Sequence, residues 1–146
     1  MNKRIFIIDG YALLYRSHFA LIRNPLITSY GLDTSALFGF INQILKLIRK
    51  ENPDFLVCAF DSKGKNFRHE MYDLYKANRS DPPDELIPQF SIIRDATNAI
   101  GLPVVEMEGY EADDIIGTLA KQAEKKGFEV CLNENSISLD MTKNTI

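Results

Sequence analysis

The sequence is poor in the features that mark secreted, membrane-bound and zinc-binding proteins. It has two cysteines and two histidines in 146 residues. Cys58 and Cys131 stand singly in strand-like runs, away from any metal-ligand spacing, so we expect two reduced core thiols rather than a disulfide or a zinc site. We interpret the isolated His18 and His69 as structural, with no catalytic role.

Long apolar runs are also missing. None approaches the roughly 20 residues that a membrane helix needs. Asp9 interrupts the N-terminal apolar run before that run could serve as the core of a signal peptide. We therefore expect a cytoplasmic protein without a membrane partner.

The composition is that of an ordinary globular domain. Apolar residues make up 45% of the chain and charged residues 25%, which is enough for one domain with a substantial core. We find no internal repeat and no low-complexity segment. The formal net charge of −3 argues weakly against nucleic acid, although the distribution of charge matters more than its sum.

Apolar runs that read as strands alternate with helical periodicity along the chain. The predicted strands are Ile5–Ile8, which leads into Asp9, Phe55–Phe60, which leads into Asp61, Pro103–Glu106 and Phe128–Leu132. The predicted helices lie at about 11–23, between the capping residues 33–35 and Asn52, at about 85–100, and from near Glu111 to Gly127. The polar stretch 62–84 lacks a steady period. This order predicts an α/β fold with a mostly parallel sheet and helices on both faces.

Five carboxylates stand at the ends of these elements. Asp9 and Asp61 follow the first two strands, and Glu111, Asp113 and Asp114 crowd into the start of the last helix. Open α/β sheets bind ligands just beyond the carboxyl ends of their strands, so these acids are expected to meet at one edge. Like charges so close together favour a bound cation, and carboxylate ligands favour Mg²⁺ or Mn²⁺ over zinc.

A structural interpretation of the last three acids competes with the metal site. Acids in the first turn of a helix complement its macrodipole, each contributing about 0.3–1 kcal/mol. Taken alone, the cluster fits both interpretations equally well. Asp9 and Asp61, as further acids at strand ends, favour the metal site.

A basic segment follows Asp61. Residues 63–79 contain five Lys or Arg against two Asp or Glu, a local charge of +3 in an acidic chain. The basic side chains could neutralise phosphates while Tyr72 and Tyr75 stack on exposed bases, as in a channel for single strands. The alternative is an exposed charged loop anchored by two tyrosines. The position beside Asp61 favours the substrate channel.

The motifs of this chain resemble those of a known nuclease family. They are Ile7–Ala12, Phe60-Asp61, Phe67–Glu70, Tyr75–Arg79 and Gly109–Asp114. In this order and spacing they are similar to the N-terminal 5′ nuclease domain of bacterial DNA polymerase I, which is related to flap endonucleases and PIN-like folds. The resemblance implies a Rossmann-like, PIN-type domain that removes 5′ flaps and RNA primers with two divalent ions.

The resemblance also implies roles for individual residues. Asp9, Asp61, Glu111 and Asp113 would bind the first metal ion, with Asp114 in close support. Arg68, Lys76 and Arg79 would contact phosphates, and Tyr75 would stack on a base. Arg68 and Lys76 would also belong to the catalytic set. The implied substrates are DNA with 5′ flaps or single-stranded 5′ ends, and RNA–DNA hybrids, handled by a monomer in replication and repair.

The C-terminal part departs from the family pattern. Where the family has an Asp-Lys-Asp motif that serves the second metal ion, this chain has Asn133–Ser138, with Ser136 and Ser138 at the carboxylate positions. Glu134 and Asp140 are the nearby acids, without the family spacing. We therefore expect a nuclease part at 1–132 and a divergent tail at 133–146, and a shortened copy with impaired activity.

Two alternatives remain open at this point. A non-catalytic remnant would keep Arg68, Tyr75, Lys76 and Arg79 for nucleic-acid binding without cleaving its ligand. A phosphohydrolase that forms an aspartyl phosphate would need a second acid two residues after Asp9. Tyr11 occupies that position, so this alternative ranks last.

Overall fold

The structure is a computed structural model that describes residues 2–62, 83–134 and 137–140. The six described residues after Leu132, which are 133–134 and 137–140, are described through their backbone alone. Its elements alternate between strands and helices along most of the chain. In order they are β1 (Arg4–Asp9), α1 (Gly10–Ala20), α2 (Ser35–Glu51), β2 (Phe55–Ala59), α3 (Ile87–Ala99), β3 (Val104–Val105), α4 (Ala112–Lys125), β4 (Glu129–Glu134) and β5 (Ile137–Asp140).

The strands form one sheet in the order β3-β2-β1-β4-β5. The first four strands are parallel, and β5 pairs antiparallel with β4. The register sets Asp9 of β1 beside Ala59 of β2, so the carboxyl ends of these central strands lie at the same edge. The predicted mostly parallel α/β sheet is confirmed.

Helices cover both faces of the sheet, also as predicted. Alternate side chains of each strand point to opposite faces. One face packs against α4 and carries Ile7, Val57 and Val130. The other packs against α1, α2 and α3 and carries Ile8, Cys58 and Phe60. Ile8, Cys58, Phe60 and Val130 are fully buried, so the central strands are enclosed on two sides.

A buried glutamine joins α3 to the start of α2. Gln89 is 0% exposed. Its Oε1 accepts a hydrogen bond from Leu37 N at 3.1 Å, and its Nε2 donates to the Glu85 carbonyl at 2.9 Å. The first N–H groups of a helix have no partner within the helix, and Gln89 supplies one for the N–H of Leu37, which is half-buried.

Several boundaries differ from those predicted. The helix expected from about Glu85 begins at Ile87, after a turn in which Leu86 N donates to the Pro83 carbonyl at 2.9 Å. The strand expected over Pro103–Glu106 has only two residues. β5 was not predicted from the sequence. The sheet therefore crosses the proposed boundary between 1–132 and 133–146, and that division stays a prediction.

Cys58 and Cys131 are both buried, as expected of core thiols. Across the described ranges, no helix combines the length and the apolar character needed to cross a membrane.

Candidate functional site

Asp9 ends β1 and starts α1. Its backbone is extended, and its Oδ1 accepts a hydrogen bond from Ala12 N at 3.2 Å. The side chain therefore caps the helix, which is the usual role of Asp at this position. The residue is half-buried, so its carboxylate stays at the edge of the sheet rather than in the core.

Gly10 brings the turn after Asp9 close to the end of β2. A Cβ atom at Gly10 would lie 2.3 Å from Cε1 of Phe60, much less than the 3.5–4.0 Å at which carbon atoms normally pack. Only glycine allows this approach without displacing the ring. The contact holds the start of α1 against the residue that precedes Asp61.

Asp61 connects the end of β2 to the start of α4. Its Oδ1 accepts a hydrogen bond from Ala112 N at 2.7 Å, and the next residue, Ser62, donates its N–H to the Tyr110 carbonyl at 3.3 Å. An anion at a helix N-terminus is stabilised by the unpaired N–H groups there and by the helix dipole. Asp61 therefore brings the acidic start of α4 to the edge of the sheet at which β1 and β2 end, which we call the strand-end edge.

The three acids of α4 have different environments. Glu111 is the N-cap and is 5% exposed. It forms a capping box with Asp114, whose Oδ2 accepts from Glu111 N at 3.1 Å. Asp114 is half-buried and Asp113 is exposed. Two of the acids thus take part in helix capping, a structural role that the sequence analysis did not predict, since its structural interpretation concerned only the helix dipole. A carboxylate has about four acceptor positions, and one capping bond uses one of them.

The carboxylates of Asp9 and Asp61 also influence neighbouring side chains. Burial raises the pKa of the Cys58 thiol on β2, and the negative charge of Asp9 raises it further. Burial raises the pKa of Tyr11 as well, with smaller contributions from several neighbours, of which Arg94 lowers it and Glu106 and Asp61 raise it. The charge of Asp9 therefore acts on a side chain of β2, and the charge of Asp61 acts on a side chain of α1.

The structure brings three acid-bearing segments to one edge without assembling them into a ready ligand group. Within the described ranges, no three Asp, Glu, His or Cys side chains form a cluster that could hold a metal ion as it stands. The metal-binding roles of Asp9, Asp61, Glu111, Asp113 and Asp114 stay predictions.

The predicted nucleic-acid contacts lie elsewhere in the chain. Arg68, Tyr75, Lys76 and Arg79 all fall outside the described residues, as does His69. Their roles therefore also stay predictions. His18 is buried in α1, at 4% exposure.

One residue of this edge was missed by the sequence analysis. Arg94 lies on α3, where its Nη2 donates to the Asp61 carbonyl at 2.6 Å and its Nε donates to Tyr11 Oη at 2.7 Å. Its Nη1 forms an ion pair with Glu106. The signal in the sequence was weak: Arg94 follows Phe90 by four residues, which puts a charged residue on the same side of the helix as an apolar one.

This architecture defines a class of domain. A mostly parallel sheet, helices on both faces and acids at adjoining strand ends and a helix start are the arrangement of Rossmann-like, PIN-type folds. The chain belongs to the family described as the 5′-3′ exonuclease, N-terminal resolvase-like domain, whose model matches residues 4–135. The match confirms the resemblance inferred from the motifs.

The relatives include both long and short proteins. The DNA polymerase I of Rhizobium leguminosarum is 46% identical over 140 residues, which are 90% of this chain and 14% of the polymerase. A 5′-3′ exonuclease of Aquifex aeolicus is 43% identical over 128 residues, which are 88% of this chain and 44% of that protein. The chain thus spans less than half the length of either relative.

Solved structures share the fold. The D15 protein of bacteriophage T5, crystallised with metal ions, superposes with a TM-score of 0.64 at 24% identity, over 89% of this chain and 48% of the phage protein. The T5 flap endonuclease in a complex with DNA and metal ions gives a TM-score of 0.63, at the same identity and coverage. At this identity the likeness establishes the fold alone.

Proposed function

We propose that this domain is a divalent-metal-dependent 5′-3′ exonuclease and 5′ flap endonuclease that acts on DNA. The observation that supports this most is the hydrogen bond from Ala112 N to Asp61 Oδ1. It joins the end of β2 to the acidic start of α4, beside the edge where β1 ends in Asp9. Membership of the 5′-3′ exonuclease family supports this reaction, and we propose that it takes place at this edge.

The residues of the edge fit a hard divalent ion. They offer carboxylate oxygens, which suit Mg²⁺ or Mn²⁺. Asp9, Asp61 and Asp114 are half-buried and Glu111 is buried. Water would therefore screen the attraction between an ion and these carboxylates less than it does at an open surface. A bound cation would also offset the mutual repulsion of the acids.

The chain's own residues would divide the work. Asp9, Asp61, Glu111 and Asp113 would hold the ion, and Asp114 would support Glu111 through the capping box. A divalent ion at this position would supply a Lewis acid that activates water and stabilises charge on phosphate oxygens. In the basic segment, Arg68, Lys76 and Arg79 would bind phosphates, while Tyr75 would stack on a base.

The expected substrates are DNA with 5′ flaps or single-stranded 5′ ends, and RNA–DNA hybrids. The T5 flap endonuclease that shares this fold has been solved with DNA and metal ions, and another T5 5′-exonuclease structure holds zinc. These proteins lend support to DNA and a divalent ion as ligands here. A role in replication and repair, as a cytoplasmic monomer, belongs to the same proposal.

A second candidate function is binding of nucleic acid without cleavage. Ser136 and Ser138 stand where the resemblance places the carboxylates of the second metal site, and hydroxyls bring no negative charge to offset dehydration of an ion. Losing one electrostatic group of this kind costs on the order of 10²–10³ in rate. We therefore propose slow cleavage rather than none.

Single-turnover cleavage of a 5′-flap DNA, with Mg²⁺ or Mn²⁺ and with EDTA, separates the two candidates. We expect slow, metal-dependent cleavage that Asp113→Asn reduces by at least about tenfold, the lower end for loss of a metal-site partner. Glu124→Gln is the matched control, since Glu124 is exposed near the opposite end of the same helix. Binding of the flap with no cleavage in either metal would favour the non-catalytic remnant.

The basic segment needs its own binding experiment. Lys76→Ala with Arg79→Ala should weaken binding of flap DNA and reduce the slope of log affinity against log salt, because fewer counterions are released. The matched control is Lys46→Ala with Lys50→Ala, which removes the same charge from exposed positions of α2. An equal effect of the two double variants would remove the segment from the interface.

A further inference from the structure

We propose that Arg94 is a positioning residue that fixes the main chain at Asp61 and thereby sets how tightly the strand-end edge binds a divalent cation. This inference rests on the proposed function and deepens it. It concerns a residue outside the five acids and the basic segment, and it assigns Arg94 no contact with the substrate.

The guanidinium of Arg94 holds three separate parts of the chain. Nη2 donates to the Asp61 carbonyl at 2.6 Å, Nε donates to Tyr11 Oη at 2.7 Å, and Nη1 pairs with Glu106. One rigid plane therefore joins the second residue after β2, the first turn of α1 and the residue after β3. A lysine could not reproduce this fork, because its ammonium is a single point.

The guanidinium is itself held in place. Its carbon lies 5.5 Å from the centre of the Tyr11 ring and 5.6 Å from that of Phe60, distances at which a cation is attracted to an aromatic ring. The two rings pack edge to face with centres 4.9 Å apart. The side chain of Arg94 is only 12% exposed, so it has little freedom to leave this position.

Arg94 extends the fixed part of the chain beyond the sheet. The last main-chain bond from β2 toward β3 is Phe60 N to the Val105 carbonyl, at 3.0 Å. Beyond it, the Asp61 carbonyl accepts a hydrogen bond from Arg94, and the Asp61 carboxylate accepts one from Ala112 N. Without Arg94, the carbonyl would lose this partner and the Asp61 carboxylate would be held by fewer constraints.

The positive charge of Arg94 is offset by a neighbouring glutamate. A lone guanidinium beside the acidic edge would oppose the binding of a cation. The ion pair with Glu106 compensates for that charge. Arg94 can therefore hold Asp61 by its hydrogen bond to the carbonyl while adding little net repulsion toward a divalent ion.

Two measurements on Arg94→Gln test this inference: hydrogen exchange of the Ala112 amide by NMR, and Mn²⁺ affinity by electron paramagnetic resonance. We expect at least about tenfold faster exchange at Ala112 and about tenfold weaker Mn²⁺ binding, the lower end for a residue that supports a metal ligand. Arg94→Lys keeps the charge and should restore neither value fully.

Arg4→Gln is the matched control. Arg4 also forms an ion pair with a glutamate, Glu51, at 3.2 Å, and it donates a hydrogen bond to the backbone carbonyl of Glu51. Arg4 is the first residue of β1 and therefore lies at the end of that strand opposite to Asp9. It should change neither the Ala112 exchange nor the Mn²⁺ affinity, even where it lowers global stability.

The possible failures are distinguishable. If wild-type protein and the control both bind no Mn²⁺, the proposed function is wrong, and so is the link from Arg94 to cation affinity. If the wild type binds Mn²⁺ and Arg94→Gln binds it equally well with unchanged Ala112 exchange, the inference about Arg94 is overturned while the proposed function stands. An equal effect of Arg4→Gln would show general destabilisation and would also overturn it.

Discussion

Replacing Gly10 with alanine should destabilise the fold because the added methyl group has no space. Its Cβ would lie 2.3 Å from Cε1 of Phe60 and 2.6 Å from Cδ1. Carbon atoms pack at about 3.5–4.0 Å, so the ring or the start of α1 would have to move by about 1 Å. Phe60 is 0% exposed and packs against Tyr11 and Arg94, which limits how far the ring can yield.

The expected cost follows from the behaviour of overpacked cores. Extra carbon atoms in a well-packed interior cost about 1–3 kcal/mol, and the close contact at Gly10 favours the upper part of that range. A gain of helix propensity on replacing glycine, about 0.5–1 kcal/mol in a helix interior, cannot offset a clash of this size. We therefore expect a net loss in the free energy of unfolding.

Urea denaturation of Gly10→Ala and Gly117→Ala provides the test, with unchanged m-values as the check that the transition remains comparable. Gly117 lies inside α4 with no atom within 4 Å of the added Cβ. Its substitution should stabilise the fold by about 0.5–1 kcal/mol. Phe60→Leu in the Gly10→Ala background should recover part of the loss. Equal stability of Gly10→Ala and wild type would refute the close packing of α1 against β2.

Three further predictions concern the core, the pH dependence and the C-terminal segment. Gln89→Ala should lower the free energy of unfolding in urea by about 1–3 kcal/mol for each backbone group left without its partner. Because the pKa of the Cys58 thiol is raised in the fold, its contribution to stability is complete below the pKa of the unfolded thiol. That contribution should fall above about pH 9 by up to about 1.4 kcal/mol per pH unit. Urea denaturation at a series of pH values should show a smaller fall in the free energy of unfolding for Cys58→Ala than for the wild type. Ser136→Asp with Ser138→Asp should raise single-turnover flap cleavage on the order of 10²-fold if these positions serve a second ion.

Each of these predictions has a direct counter-result. Asn98→Ala, at an exposed position of α3, is the control for Gln89 and should cost little; a matching loss would show that the buried hydrogen bonds do not matter. An identical decline of the wild type and Cys58→Ala above pH 9 would remove the thiol as its cause. A double change to alanine at Ser136 and Ser138 should leave cleavage slow, and a rise equal to that of the aspartates would contradict the charge argument.

The fold could be inferred from the sequence where a pattern is local. The apolar run Ile5–Ile8 gave β1 because a fully enclosed parallel strand needs apolar residues on both faces. The helical period and the capping residues 33–35 gave α2, which begins at Ser35 and ends at Glu51. Acids at the ends of β1 and β2 could be placed at one edge because parallel strands share their direction.

The contacts that join these elements could not be inferred in the same way. Arg94 reaches Tyr11 across 83 positions of sequence, the Asp61 carbonyl across 33 and Glu106 across 12. No local period encodes which side chains meet after folding. β5 was not predicted for a related reason. It is four residues long and depends on pairing with β4, and the sequence of a short strand does not show which strand it pairs with.

The most direct test of the metal site is a crystal structure of this domain grown with Mn²⁺ and examined for anomalous scattering. The account predicts an Mn²⁺ ion bonded to carboxylate oxygens of both Asp9 and Asp61, with an acid from the start of α4 in the same coordination sphere. Ions found only away from this edge, with Asp9 and Asp61 bonded to none, would contradict it.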